Sequence, residues 1–481
     1  MVDYTRYKMD ANLIGGAWKP VNGNSIAVTN PATGELLGHV PSFGKAETEL
    51  AIAAAHEAFP AYSAMALAER VALLQKLYEA LMDNQDSLAG LLTAEQGKPF
   101  AEAKGEIAIG AAYIRWFAEE VRRNKGEIIP SPVNGRRMLV SHHPVGVVGA
   151  ITPWNFPSSM LARKLGPALA VGCTTVVKPA SLTPYSALAW GKLAEEAGFP
   201  AGVINIVTGS AREIGAAMMA DPRIRKVTFT GSTEVGKTLI RRSADTVKKL
   251  SMELGGNAPF IVFDDADLDR AVEGAMIAKY RNSGQTCVCA NRIYVQSGIH
   301  DAFVSKLTAA TEALKVGNGA KPGIEQGPLI DKGTYDKVSE LVADASSKGA
   351  EVVTGGGAHE LGGTWFQPTV ITGVNAEMRV AREEIFGPVA AVFKFDVEED
   401  AVTAANDTEF GLAAYVYTRD LGRCFRISDS LQYGLIGINE GLITTVEAPF
   451  GGLKESGSGK EGGTQGLGEY QDTKYVCIGG I

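Results

Sequence analysis

From residue 146 to 263, short apolar runs alternate with stretches patterned as helices, and this alternation narrows the available folds more than any other feature of the chain. The runs are Val147–Ile151, Thr174–Val177, Val203–Val207, Val227–Thr230 and Phe260–Phe263. Apolar residues at helical spacing fill the intervals, centred on 158–170, 184–197, 211–219 and 234–243. Strands that are apolar throughout must be covered on both faces, and helical crossovers provide that cover. A parallel α/β sheet is therefore expected. The alternation resumes from 267 to 438, and 481 residues exceed what one core organises. Two α/β units follow, with a boundary near Gly255–Gly256. Residues 1–125 and 146–253 are assigned to the first unit and 254–455 to the second.

Ahead of the alternation, segments 46–59, 67–92 and 99–124 carry helical spacing, as in Val71, Leu74, Leu77, Tyr78 and Leu81. Residues 126–145 differ. Val133-Asn-Gly135 is a turn signal, followed by Arg136, Met138 and Val140. The tail from Glu469 to Ile478 has the pattern of a terminal strand. Residues 126–145 and 460–481 are expected to form an arm that reaches another subunit, in a homodimer or homotetramer.

The net charge of -8 argues against nucleic acid as a partner, since a phosphate backbone needs a basic surface. No apolar run is long enough to span a bilayer, so no membrane role is expected. Residues Met1 to Ile14 lack a signal-peptide pattern, and the five cysteines are few and odd in number. A reduced, cytoplasmic protein is expected, with no metal site.

Two glycine motifs attract attention. Gly457, Gly459 and Gly462 have G-x-G-x-x-G spacing, but no strand leads into them and the chain ends too soon for a βαβ unit. A flexible glycine loop is expected there. Residues 231–238, Gly-Ser-Thr-Glu-Val-Gly-Lys-Thr, match a phosphate-binding P-loop between a strand and a helix. Phe260-Ile-Val-Phe-Asp264 mimics its Mg²⁺-holding strand. A nucleotide hydrolase is thus an alternative, although it leaves the cysteine segment unexplained. A dinucleotide also carries phosphates, and Gly231 and Ser232 at a helix start would serve it equally.

Three segments carry chemistry. Gly284-Gln-Thr-Cys287-Val-Cys289-Ala290 contains a cysteine among small polar neighbours, which points to an exposed turn rather than a buried thiol. Glu253 ends an apolar strand before two glycines, where a bare carboxylate has a raised pKa and suits a general base. Thr152-Pro-Trp154-Asn155-Phe-Pro157 holds an asparagine amide between prolines and aromatics, where it can donate to an oxyanion. Each also has an ordinary reading: a packed cysteine, a salt-bridged glutamate, an Asx turn.

Together these segments resemble the hallmark motifs of the aldehyde dehydrogenase superfamily: the W-N-F-P loop, the E-L-G-G glutamate and the G-Q-x-C nucleophile. Lys178-Pro-Ala180, Phe229-Thr-Gly-Ser232, Glu384-Ile-Phe386-Gly-Pro388 and Pro449-Phe-Gly-Gly452 match further motifs in the family's order. The resemblance implies a Rossmann-like cofactor domain without G-x-G-x-x-G, a catalytic domain and a β-arm for oligomerisation. It implies Cys287 as nucleophile, Asn155 as oxyanion donor and Glu253 as base, with Trp154, Lys178, Ser181, Gly231, Ser232, Glu384 and Phe386 at the cofactor. Many NAD-preferring members have glutamate three residues after the lysine. Here Ser181 stands there, so NADP is expected to be preferred, with NAD as the alternative.

Residues Tyr280–Asn291 resemble the succinate-semialdehyde dehydrogenases of that superfamily. Arg163 and Arg281 are expected to clamp a substrate carboxylate. Asn439–Thr444 resembles their late substrate loop, with Thr444 or Thr445 in place of a serine. Glutarate semialdehyde, one methylene longer, is the close competitor. Cys289 is a candidate redox partner of Cys287 or a second packing residue. A catalytically silent relative is the remaining alternative.

Overall fold

The computed structural model describes residues 2–481. The expected helices form at Ser159–Val171, Tyr185–Ala197, Ala211–Ala220 and Thr233–Ser243, and the runs between them become buried parallel strands. An eight-stranded sheet takes the order 457–458, 249–253, 224–230, 147–151, 174–178, 204–206, 11–14, 17–20. Helices cover both faces, so Val148, Val176, Val177 and Val227 are wholly buried. Each such side chain contributes roughly 1.5–3 kcal/mol by leaving water. Between strands Val147–Ile151 and Ile224–Thr230 the chain order reverses, leaving a crevice at their carboxyl ends. In open α/β sheets ligands bind at such a reversal. The Thr152–Asn155 loop and the Gly231–Ser232 turn both leave the sheet there.

The chain leaves this sheet after Glu253 and enters a second at Ala258. The second has seven strands in the order 351–354, 369–372, 389–395, 290–296, 258–262, 413–417, 435–438, all parallel except the first. A third sheet pairs Arg136–Pro144 with Glu127–Ile129 and with the terminal Gln471–Gly479.

Four local expectations change. The helical pattern of 67–92 is two helices, Leu67–Asp83 and Gln85–Gln96, because Asn84 leaves helical geometry and donates to the Ala80 carbonyl at 2.8 Å. The first 45 residues carry four strands, two of them extending the eight-stranded sheet. Residues 460–470 do not belong to an arm: Leu467 and Tyr470 pack in one core with Tyr113 and Phe117. The glycine loop is not flexible either. Gly457 pairs with Glu253 on the sheet edge, at a φ of 123°, with the Met252 carbonyl where a Cβ would stand.

Candidate active site

Asn155 follows strand Val147–Ile151 in the reversal crevice. Its Nδ2 donates to the Gln285 carbonyl at 3.1 Å and its Oδ1 accepts from the Phe156 N–H, leaving one amide hydrogen uncommitted. Gln285 belongs to the cysteine segment, so this bond ties the asparagine to the Cys287 loop. Among the described residues the Cys287 N–H donates to no backbone carbonyl and faces its own thiol. Two donors thus remain available beside the thiol.

The cysteine segment is largely buried where its composition suggested an exposed turn: Gln285 and Thr286 are 1% and 3% accessible, while Cys287 is half-buried. The Gln285 amide is satisfied internally, since it donates to the Asn282 and Pro328 carbonyls and accepts from the Ile330 N–H. Gly256 lets this loop approach, because a Cβ there would lie 2.3 Å from the Cys287 carbonyl. Burial pushes the Cys287 thiol up to about 12; Glu384 and Glu253 add to the rise, and Arg163 opposes it. Cys289 is buried and donates to the Lys279 carbonyl.

Glu253 ends its strand fully buried, and neither carboxylate oxygen has a hydrogen-bond partner. Burial and the nearby Glu461 hold its pKa well above the usual carboxylate range.

Cys287 stands where two cavities meet. One, of about 250 Å³, is lined by Arg163, Arg281, Thr444, Phe450 and Glu102. The Arg163 guanidinium lies 4.2 Å from the Phe450 ring centroid; its Nε is buried without a hydrogen bond, and its Nη1 lies 3.9 Å from Glu461 Oε2. Arg281 is likewise unpartnered at Nε. Thr445 lies outside this cavity, bonded to Glu447, so Thr444 is the hydroxyl presented. The other cavity, of about 420 Å³, is lined by Trp154, Gly231, Ser232, Lys337, Glu384 and Phe386, among others. Glu384 accepts from the Gly256 N–H at 3.1 Å, and burial lifts its carboxyl to about 7. Lys178 ends the neighbouring strand, and burial lowers its ammonium to about 8. Lys178 and Ser181 stand outside the lining of both cavities.

The family model for the aldehyde dehydrogenase family matches residues 18–476. The chain belongs to the aldehyde dehydrogenase family. This aldehyde dehydrogenase is 56% identical to the glutarate-semialdehyde dehydrogenase of Pseudomonas aeruginosa over 469 residues, 97% of each chain. It is 55% identical to the succinate-semialdehyde dehydrogenase [NADP(+)] of Escherichia coli over 468 residues, again 97% of each. A crystal structure of an E. coli NADP-dependent enzyme superimposes over all of both chains with a TM-score of 0.99 at 54% identity. The enzyme is an NAD(P)-dependent aldehyde dehydrogenase, and no helix among its described residues is long and apolar enough to cross a membrane.

The fold also disposes of the P-loop alternative. Lys237 is paired with Glu455 at 2.6 Å instead of reaching toward the turn, and Asp264 follows a strand of the other sheet. Sequence reasoning missed several polar residues of this aldehyde dehydrogenase. Lys164 donates to Glu461 at 2.5 Å and to Thr230 at 2.6 Å, beside Glu253. Lys337 donates to the Glu384 carbonyl at 2.7 Å. Glu461 lies in the glycine loop that had been set aside. Charged residues on helices and in turns usually face solvent, and nothing in their local pattern marks these as buried.

Proposed function

We propose that the enzyme oxidises succinate semialdehyde to succinate, with NADP⁺ as the preferred acceptor. The observation that carries this reading is a pair of arginines, Arg163 and Arg281, each with a buried Nε that makes no hydrogen bond, lining the cavity that ends on Cys287. An uncharged substrate would leave those donors unsatisfied, at a cost a bound carboxylate removes. The Thr444 methyl takes up room in the same cavity, which favours the four-carbon substrate over glutarate semialdehyde.

The residues of the second cavity fit a dinucleotide. Ser232 caps helix Thr233–Ser243, whose N-terminus suits a pyrophosphate. Glu384 would hold a ribose, and Trp154 and Phe386, packed edge to face at 5.5 Å, would flank the nicotinamide. Lys178 and Ser181 would hold the adenosine ribose. Ser181 caps no helix, since the N-cap of Tyr185–Ala197 is Pro184, so its hydroxyl is available to a 2′-phosphate. When bound, the oxidised nicotinamide supplies the hydride acceptor.

The Cys287 thiol gives up its proton to solvent water, and the thiolate attacks the aldehyde carbon. The oxygen then becomes an alkoxide, which the Asn155 amide and the Cys287 N–H stabilise. Loss of hydride from the carbon leaves a thioester on Cys287. Glu253 takes a proton from water, hydroxide adds to the thioester, and the thiolate leaves as the carboxylic acid departs. In this reading Cys289 is a packing residue. The sheet of 127–129, 136–144 and 471–479, with Ile128, Tyr475 and Ile478 exposed, serves as an arm toward a second copy of the chain.

Arg163→Ala and Arg281→Ala are each expected to raise KM for succinate semialdehyde about 10–100-fold, the worth of a charge-assisted hydrogen bond. KM for propanal should change little. Steady-state assays with both aldehydes check this, and equal effects on the two would refute the clamp. The ratio of kcat/KM for succinate and glutarate semialdehyde decides chain length; a ratio favouring the latter overturns the substrate assignment. Ser181→Glu is expected to raise KM for NADP⁺ about tenfold or more and to spare NAD⁺. Unchanged NADP⁺ kinetics would remove Ser181 from the cofactor site.

A further inference from the structure

Glu102 and Glu106 stand one turn apart on helix Phe100–Glu120, on the face that lines the aldehyde cavity. Carboxylates are unexpected in the wall of a pocket built to receive an anion. Each, however, is committed to a different loop of the active site. Glu106 Oε1 accepts from the backbone N–H groups of Ser158 and Ser159 at 2.9 and 3.1 Å, where the helix after the Asn155 loop begins. Its Oε2 accepts from Lys98 Nζ at 2.6 Å, a pair with side chains 0% and 1% accessible. Lys98 Nζ donates a second time, to the Asn155 carbonyl at 2.7 Å, and lies 3.8 Å from the Phe156 ring centroid.

Glu102 acts on the other loop. It accepts from the Asn282 backbone N–H at 2.8 Å. Asn282 and Ser283 have φ of 52° and 55°, left-handed values that side-chain-bearing residues adopt at a cost, and they lie just before the nucleophile. A loop in that state persists only when its surroundings hold it. The Asn282 side chain then donates to the Asn155 carbonyl at 3.1 Å and to the Gln285 carbonyl at 3.2 Å. The Asn155 carbonyl is thus held by two donors, one from each arm of the network.

We propose that Lys98 and Glu106, with Glu102, are positioning residues that fix the separation of the Asn155 amide and the Cys287 N–H, and so set the oxyanion site. The proposal rests on the assignment of Asn155 as oxyanion donor. A buried ion pair adds little to stability compared with an apolar pair of the same shape, so packing alone gives no reason for charges here. Glu106 and Glu102, on one helix face, reach the Asn155 loop through Lys98 and the Cys287 loop through Asn282. A shift of about 1 Å in such a donor can cost roughly 100-fold in rate.

The test uses the full-length enzyme and an uncharged aldehyde, propanal, so that pocket charge plays no part in binding. Lys98→Met combined with Glu106→Gln removes the pair without leaving one charge buried alone. It is expected to lower kcat about 10–100-fold with KM and the NADP⁺ dissociation constant unchanged. Added to Asn155→Ala, the same change is expected to have no further effect, because its target is already gone. Losses that multiply, or an unchanged kcat, would overturn the proposal. If the double replacement fails to bind NADP⁺, Lys98→Arg keeps the buried charge and gives the same reading: kcat falls, and does not fall again on top of Asn155→Ala. If Asn155→Ala alone leaves kcat intact, the oxyanion assignment fails, and this proposal falls with it.

Discussion

Glu253→Gln is expected to give an enzyme that reduces one equivalent of NADP⁺ per active site and then stalls as an acyl-enzyme. In the proposed mechanism the carboxylate serves the water step, while hydride loss needs only Cys287 and the oxyanion donors. Its loss should lower steady-state turnover about 10²–10⁴-fold, the usual worth of a general base. The pH dependence has a definite sign. Burial and Glu461 raise the Glu253 pKa well above the usual carboxylate range, so the basic form gains population as pH rises. The Cys287 thiol, pushed up to about 12, titrates in the same direction. Wild-type turnover should therefore climb with pH, and the limb belonging to Glu253 should vanish in the variant. Rapid-quench measurement of reduced nicotinamide, with mass spectrometry of the protein, checks both points. Absence of a burst would show that Glu253 acts before the thioester, and would sink its assignment to hydrolysis alone.

Asn155→Ala is expected to lower kcat by about 10²–10³-fold while leaving KM for the aldehyde and NADP⁺ binding near wild type. The amide has one hydrogen on the Gln285 carbonyl and one uncommitted. An interaction made only as the alkoxide forms contributes to kcat and not to ground-state binding. Asn155→Asp is the sharper variant, because it keeps the shape and replaces a donor with an acceptor and a charge. It should be no better than alanine. A variant retaining wild-type kcat would require another donor in place of Asn155.

The candidates for the reacting residues stood out in the sequence because each lies in a short segment with a distinctive local context. Cys287, Glu253 and Asn155 sit beside glycines, prolines or polar residues that interrupt apolar runs. The alternation of strand and helix gave the α/β class for the same reason: it is a property of neighbouring residues. Local pattern also misled where burial decides. Gln285 and Thr286 look like an exposed turn by composition, yet both are buried, and the Gln285 amide closes its hydrogen bonds on Asn282, Pro328 and Ile330. The glycines at 457, 459 and 462 look flexible, yet Gly457 is locked to a sheet edge by its fit against Met252.

The sequence alone determined which side chains are available for chemistry, and its alternating pattern determined that strands and helices would form a covered parallel sheet. The tertiary structure alone decided which of those side chains share a space. Strand order is not written in any local window, and it places the Asn155 loop and the Ser232 turn at one crevice. Lys98, Glu106, Lys164 and Glu461 have the local signature of surface charges, and only long-range packing removes them from water and turns them toward the reacting groups. Charge pairing across such separations depends on where distant segments meet, which is a property of the folded chain as a whole.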